Sequence, residues 1–227
     1  MKNTKHLILA VVAVFLITAT IFTTIAYLTS KQEVKNTFTV GNVVIGLDEA
    51  LVKTDGTPDG DLRTEIGNQY HLLPGMSYTK DPTVTVKANS EDCYVRMVVT
   101  VTHYAELEAL RGEYDVLKFF KGIDLNQWVP ELSADKKPTV NADGTATIIF
   151  TYVGEKTADY VTYVPKNNKD TKLAPLFTEF TVPSDFDNAE LAVFEGMEVL
   201  IEAHAIQATG FDNAIDAWEA FDAQYAD

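Results

Sequence analysis

The histidines of this chain are its best candidates for holding a catalytic metal. His6 lies in the apolar N-terminal stretch, and His71, His103 and His204 are far apart in the sequence. Zinc hydrolases commonly carry two histidines on one helix in the spacing H-E-x-x-H, which does not occur here. A shared metal would require the fold to bring distant residues together. We therefore prefer ordinary strand-face histidines, with a metal site as the alternative.

An acidic segment resembles part of a calcium-binding loop. Asp55, Asp59 and Asp61 place carboxylates along the segment, and Gly60 stands where such a loop turns. Calcium loops end in a bidentate glutamate, and the corresponding position is Ile66. We therefore expect a solvated turn and no resident cofactor, with calcium as the alternative.

Other arrangements that could do chemistry are weaker still. Asp185 and Asp187 raise the calcium question again, with fewer oxygen ligands. No G-x-S-x-G turn is present to expose a nucleophilic serine. Cys93 is the single cysteine, so no intramolecular disulfide can form, and we expect a small buried hydrophobe there. These residues predict a protein that is not an enzyme.

Apolar residues alternate with polar ones over most of the chain, which is the pattern of β-strands. Tyr94–Val101 is the most strongly β segment and is predicted to lie in the middle of a sheet. Together, the predicted strands indicate a mainly β, antiparallel sandwich. The predicted strands are Phe38–Leu47 with a bulge or turn at Gly41-Asn42, Thr83–Lys87, Cys93–His103, Thr139–Val140, Thr145–Val153, Val161–Val164, Phe177–Val182 and Glu198–Gln207.

Three segments depart from this pattern. Lys53–Gly67 is rich in Asp, Gly and Thr and is predicted as a long loop. Tyr104–Trp128 has apolar residues spaced by three or four, which predicts a helical insertion packed on the sheet. A short C-terminal helix, capped by Asp212 or Asn213, should cover a sheet edge or end. Its predicted apolar side consists of Ala214, Ile215, Trp218 and Phe221.

The N-terminus has the features of an export signal. Lys2 and Lys5 precede an almost unbroken apolar stretch from Leu7 to Phe22. The small residue Ala26 predicts cleavage between Ala26 and Tyr27, so that residues 1–26 form the signal peptide. A retained transmembrane anchor is the alternative, although no basic stop-transfer cluster follows. We expect a secreted protein of the cell surface or extracellular matrix that meets a membrane only before signal cleavage.

The charge of the chain restricts its partners. Removal of Lys2 and Lys5 with the signal takes the formal net charge from −15 to −17. No Lys/Arg stripe is present that could neutralise a phosphate backbone, so nucleic acid is excluded as an expected partner. The mature length suits one domain, predicted as 39–227 with the insertion at about 104–128.

Four stretches of the sequence resemble the TasA/camelysin family, the matrix-fibre proteins of Gram-positive bacteria. They are Thr24–Ser30 followed by Asn36–Asn42, Leu73–Pro82 leading into Thr83–Val86, Cys93–Val101, and Val199–Ala208. The resemblance implies a jelly-roll sandwich and a signal peptide that a SipW-type signal peptidase removes. It also implies a structural subunit of fibres or pilus-like filaments.

In such fibres the new N-terminal segment of one subunit adds a strand to the next. Here that donor segment is 27–38, which presents Leu28, Val34 and Phe38, continued by Val40, on one face. The polar residues Ser30, Gln32 and Asn36 share that face, so the groove would have to accept a polar middle. The implied partner is a second copy of the chain, and a related anchor or minor subunit is a further candidate. Camelysin is described as a metalloprotease, so a metal-dependent surface protease is one alternative. A monomeric surface binding module is another.

Overall fold

The computed structural model describes residues 42–111, 116–133, 137–154 and 163–225. All of them belong to the second of the two units into which the chain divides, Gly41–Asp227. Within the described residues the chain forms three antiparallel sheets, three α-helices and a short 3₁₀ helix. The mainly β, sandwich-like architecture expected from the period-two alternation is confirmed.

The largest sheet has five strands. Its central strand is paired on both sides over most of its length, as the sequence predicted for Tyr94–Val101. The strands are β5 (Cys93–Val101), β7 (Trp128–Glu131), β8 (Thr139–Val140), β9 (Ala146–Tyr152) and β12 (Val199–Gln207). Their order is β12-β5-β9-β7, and β8 pairs with β9. The predicted hairpin at residues 141–144, which joins β8 to β9, is confirmed.

Two smaller sheets complete the sandwich. The four-stranded sheet consists of β1 (Ile45–Val52), β2 (Pro58–Thr64), β4 (Thr83–Val86) and β10 (Thr171–Lys172). Its order is β10-β4-β1-β2. The three-stranded sheet has the order β3-β11-β6 and consists of β3 (Ser77–Thr79), β6 (Phe120–Lys121) and β11 (Glu179–Thr181).

Helices cover parts of this β framework. Helix α1 spans Tyr104–Arg111, the 3₁₀ helix Val116–Phe119, α2 Asn188–Phe194 and α3 Ala214–Tyr225. The predicted C-terminal helix is therefore confirmed, and Asn213 caps it by accepting the Asp216 N–H at 3.0 Å. Ile215 lies outside its buried side with 69% of its surface exposed, whereas Ala217 is fully buried.

One hydrophobic core joins the three sheets. Alternate residues of β5, including Val95, Met97 and Val99, are fully buried in it, as expected for one face of a strand. Phe119 meets Phe180, Phe186 and Phe194 with ring centroids 5.4 to 6.4 Å apart. Aromatic contacts from separate elements thus hold the three-stranded sheet and α2 to the same core.

The loop predicted for Lys53–Gly67 is wrong, because Pro58–Thr64 form strand β2 against β1. The turn between these strands needs Gly56, which has φ 81° and whose added Cβ would lie 2.3 Å from the Tyr78 ring. Arg63 fixes the far end of β2, since its guanidinium bonds Asp48 at 2.5 Å and Asp81 at 2.8 Å. These tertiary contacts outweigh the poor strand propensity of the Asp and Gly residues.

Two further predictions need correction. The insertion predicted to end at Trp128 is helical at α1 and the 3₁₀ helix, but β6 and the start of β7 also lie within it. Trp128 itself is fully buried, and its Nε1 donates to the Ala174 carbonyl at 3.1 Å. Helix α2 was not predicted, although Asp187 and Glu190 form a capping box at its start.

A core truncation tests this packing. Phe150 is fully buried in the middle of β9, so Phe150→Ala should lower the free energy of unfolding by about 3–5 kcal/mol. Chemical denaturation checks this value. Ile66→Ala is the matched control, because Ile66 is 96% exposed and its truncation should change stability by less than about 0.5 kcal/mol.

Candidate functional site: a cleft between two strand edges

Considering the described residues alone, the first half of β1 is paired on one side only. The Lys87 N–H donates to the Val44 carbonyl at 2.8 Å, so the hydrogen-bonding positions toward β4 are Val44, Gly46 and Asp48. In an antiparallel ladder the intervening residues direct their N–H and C=O groups to the opposite edge. The backbone groups of Ile45 and Leu47 therefore face away from β4.

Strand β12 has the same one-sided arrangement. The Thr102 N–H donates to the Glu198 carbonyl at 3.0 Å, and the Ala208 N–H donates to the Asp92 backbone carbonyl at 2.7 Å. Even-numbered residues of β12 thus bond β5, and the odd-numbered ones present N–H and C=O at the free edge. In the described part of the chain no ladder joins β12 to β1. The outward-directed residues are Val199, Ile201, Ala203 and Ala205.

These two edges lie beside each other, with Cα atoms within 8 Å at their nearest approach, and line a groove that we call the β1–β12 cleft. At one end Val43 and Ile45 lie opposite Glu202–Ala205 around a cavity of about 640 Å³. At the other end Leu47–Glu49 lie opposite Val199–Ile201 around a cavity of about 250 Å³. β1 and β12 therefore run in opposite directions along the cleft. The side chains of the odd-numbered residues on both edges pack toward the hydrophobic core.

An arginine anchors α3 at the first end of the cleft. Arg96 is 5% exposed, and both terminal guanidinium nitrogens donate to the carboxylate of Asp222 on α3. Its Cζ lies 4.4 Å from the Trp218 ring centroid and 5.1 Å from that of Phe221. The Arg96 Nε also donates to His204 Nδ1 at 3.3 Å. Helix α3 thus covers the outer face of β5 and β12 at this end.

The same cluster perturbs two ionisable groups. Burial lowers the pKa of His204, and the Arg96 charge lowers it further, against smaller opposing effects of Glu202 and Asp222. The hydrogen bonds from Arg96 lower the pKa of Asp222. His204 must keep Nδ1 unprotonated to accept from Arg96, because an arginine can only donate. Protonation of either residue therefore weakens the attachment of α3.

A buried polar cluster closes the second end. Lys80 and Glu49 are 7% and 5% exposed, and Nζ lies 2.7 Å from Oε2. Asn68 donates from Nδ2 to the other Glu49 oxygen at 2.8 Å. Burial and then the Glu49 charge raise the pKa of Tyr70, whose hydroxyl donates to the Thr79 carbonyl at 3.0 Å. These groups hold β1 at the point along its length where its pairing partner changes from β4 to β2.

The predicted donor segment lies outside the described residues. This applies to the cleavage site at Ala26 and Tyr27 and to the whole predicted assembly strand. Its residues are Leu28, Val34, Phe38 and Val40. The cleft was not predicted, because residues about 150 positions apart form its two edges and neither edge carries a local signal.

The histidines have separate surroundings. His71 is held through its backbone, where its N–H donates to the Thr54 carbonyl at 2.9 Å. His103 Nδ1 lies 2.6 Å from Glu106, three residues further along the chain. His204 is part of the Arg96 cluster. Across the described ranges no three His, Cys, Asp or Glu side chains are grouped so that they could hold a metal.

Two of the residues considered for calcium, Asp55 and Asp187, have other roles. Asp55 accepts from the hydroxyl and the N–H of Thr57 at 2.6 and 2.9 Å, and these bonds lower its pKa. Asp59 and Asp61 are exposed along β2, so the segment is not wrapped as a calcium loop. Asp187 caps α2.

Cys93 is fully buried, as predicted. Burial, with the nearby Asp92, raises the pKa of its thiol to about 11. It therefore remains a neutral thiol at physiological pH.

Comparison with known proteins adds no relative. No protein-family model matches the chain, and no curated protein or solved structure matches it either. Among the helices in the described ranges, none combines the length and apolar character needed to cross a membrane.

The α3 attachment should depend on pH. Since both pKa values are lower in the folded than in the unfolded protein, the stabilisation is complete above the ordinary values and is lost as the pH falls. The His204 contribution declines below its ordinary value of 6.5, and the Asp222 contribution declines below 3.8. We expect the free energy of unfolding to decrease between about pH 7 and pH 5. Denaturation of wild type and His204→Gln checks this, and an equal slope in both proteins would contradict it.

Proposed function

We propose that the protein is a secreted, non-enzymatic structural subunit of extracellular fibres or pilus-like filaments. In this proposal the signal 1–26 is removed between Ala26 and Tyr27 by a SipW-type signal peptidase. The new N-terminal segment 27–38 of one copy then pairs in the β1–β12 cleft of the next. The observation that carries the proposal is the pair of one-sided strand edges that line this cleft.

Backbone physics favours a strand as the occupant of the cleft. Unpaired N–H and C=O groups along a strand edge form a template for another extended chain. A peptide that adds to such an edge gains main-chain hydrogen bonds, while pockets select alternate side chains. The inner side of the cleft is apolar, since Ile45, Leu47 and Ile201 pack toward the core. It is therefore suited to a segment that is apolar at alternate positions.

The donor segment has complementary properties. Leu28, Val34 and Phe38 share one face of an extended chain with the polar Ser30, Gln32 and Asn36. Lys31, Glu33 and Lys35 lie on the other face and together carry one net positive charge, which reduces repulsion between the strongly acidic copies. Glu202 is an exposed carboxylate beside the cleft that an outer-face lysine can approach.

The described chain enters β1 from beside the β4–β5 connection. The Asn42 carbonyl accepts from the Glu91 N–H at 3.0 Å, and Val44 N–H donates to the Ser90 hydroxyl at 3.0 Å. Residues 42–44 thus continue β1 in its own direction. Insertion into the chain's own cleft would require a reversal before Asn42, and donation to a second copy is the arrangement that we propose.

The resemblance to the TasA/camelysin family supports the same assignment. It also supports an extracellular matrix or cell-surface location and a related anchor or minor subunit as a further partner. Nucleic acid is not a partner in this proposal, because the net charge of the chain is strongly negative.

Removal of the donor segment tests the proposal. The mature chain beginning at Tyr27 should polymerise, whereas a chain beginning at Asn36 should remain monomeric, because it lacks most of the strand. Light scattering and electron microscopy measure assembly. Equal polymerisation of the shortened chain would show that the segment is not the donor.

A proline at the free edge tests the acceptor. Ala203 directs its N–H into the cleft, so Ala203→Pro removes a donor there without removing a ladder bond to β5. We expect assembly to weaken about 10- to 100-fold, from one lost hydrogen bond and the bulk of the ring. Lys172→Pro is the matched control, because its N–H faces the outer edge of β10. Unchanged assembly of a folded Ala203→Pro protein would contradict the cleft as acceptor.

A further inference from the structure

At the second end of the cleft, the Glu49 carboxylate bonds both the buried Lys80 amine and the partly buried Asn68 amide. Glu49 Oε2 lies 2.7 Å from the Nζ of Lys80, and Glu49 Oε1 accepts from Asn68 Nδ2 at 2.8 Å. Because the two oxygens share one carbon, the Lys80 and Asn68 side chains are held beside each other. Glu49 and Lys80 are more than nine-tenths buried.

The Asn68 amide is fixed in an orientation that activates its carbonyl. Its Oδ1 accepts from the Val52 N–H at 2.9 Å, and its Nδ2 also donates to the Ala50 carbonyl at 2.8 Å. A backbone N–H aimed at a carbonyl oxygen stabilises the negative charge that develops there when a nucleophile attacks the carbon. The amide carbon is therefore prepared to act as an acyl group.

The surroundings of the cluster are apolar on one side. Lys80, Asn68 and Tyr70 line a cavity of about 270 Å³ together with Phe180 and Phe194. The Glu49 carboxylate lies 2.7 Å from the Lys80 Nζ, so it is placed to accept a proton from the amine during a reaction.

We propose that Lys80 and Asn68 form an intramolecular amide cross-link, with Glu49 as the proton carrier. Glu49 takes a proton from Nζ, the neutral Nζ attacks Cγ of Asn68, and the carbonyl electron pair moves onto Oδ1 beside the Val52 N–H. Glu49 then passes that proton to Nδ2, and the tetrahedral intermediate collapses with cleavage of the Cγ–Nδ2 bond and release of neutral ammonia. The positively charged Nζ of the new amide returns one of its two protons to the Glu49 carboxylate, so one ammonia leaves, Glu49 ends protonated, and no oxidant or cofactor is consumed.

The cross-link provides a covalent constraint that a chain with a single cysteine cannot obtain from an intramolecular disulfide. A chain with Cys93 as its single cysteine has no intramolecular disulfide. An amide between Lys80 and Asn68 closes the segment between them, which contains the Pro74-Gly75 turn and β3. Closing a loop restricts the unfolded chain and raises stability, as a disulfide does. The inference does not depend on filament assembly.

Peptide mapping of the purified wild-type protein tests the cross-link. Trypsin normally cleaves after Arg63, Lys80 and Lys87, but an amide on Nζ blocks cleavage at Lys80. We expect the peptide Thr64–Lys87, lighter by about 17 Da for one ammonia. Fragmentation should place the link between Asn68 and Lys80.

Three other peptide-mapping results would overturn the proposal. Recovery of Thr64–Lys80 at full mass shows no reaction, and the same peptide lighter by about 17 Da shows a cyclised asparagine instead. A loss of about 18 Da with Asn36–Lys53 attached places the link on Glu49 and excludes Asn68.

Variants separate the chemistry from the fold. Glu49→Gln keeps hydrogen-bonding groups at the site but cannot accept a proton, so the mass loss should disappear while circular dichroism remains that of a folded β protein. Lys80→Arg removes the amine and should also abolish the loss. Lys87→Arg is the matched control, because Lys87 pairs with Asp170 at the surface and its variant should still lose ammonia. A cross-link that persists in Glu49→Gln would overturn the role of Glu49.

Discussion

The backbone hydrogen bonds of β5, β12 and β1 determine how this protein is organised. β5 is bonded along both edges over most of its length, and its alternate side chains supply the centre of the hydrophobic core. Among the described residues, β12 and the first half of β1 are bonded along one edge each, although their apolar side chains reach the same core. Core packing thus holds two incomplete edges beside each other. Their free backbone groups can accept the hydrogen bonds of an added strand.

Paired charges hold the elements at both ends of the cleft; Arg96 is buried, whereas Arg63 and its partners are partly exposed. Arg96 joins the five-stranded sheet to α3 through Asp222, and Arg63 joins β2 to β1 and the β3–β4 connection through Asp48 and Asp81. A buried ion pair contributes little net stability, because desolvation offsets the attraction, but removal of one partner is costly. These pairs therefore act chiefly by defining position. In a chain with a net charge of −15, each buried cation also offsets repulsion between neighbouring carboxylates.

The local sequence was sufficient to predict an element whose characteristic residue pattern is complete within the element itself. Tyr94–Val101 alternates over a full strand, and the hairpin at residues 141–144 carries its own turn residues, so both were predicted correctly. β2 was missed because Asp59, Gly60 and Asp61 have poor strand propensity, and the β1 edge and the distant partners of Arg63 override it. Helix α2 was missed because its N-cap residue Asp187 was considered, together with Asp185, as an oxygen ligand for calcium. Neither the cleft nor the Glu49, Asn68 and Lys80 cluster has a local signature, since each depends on residues that only the fold brings together.

The central claim is that the odd-numbered backbone groups of β12 are free in the single subunit and become paired on assembly. Residue-resolved amide hydrogen exchange, measured on the soluble mature protein and on its assembled form, tests this most directly. We expect the amides of Val199, Ile201, Ala203 and Ala205 to exchange rapidly in the soluble protein and slowly after assembly, while Leu200 and Glu202 are slow in both. Slow exchange of the odd-numbered amides before assembly would show an already occupied edge. Continued rapid exchange afterwards would show that assembly uses another surface, and either result contradicts the account.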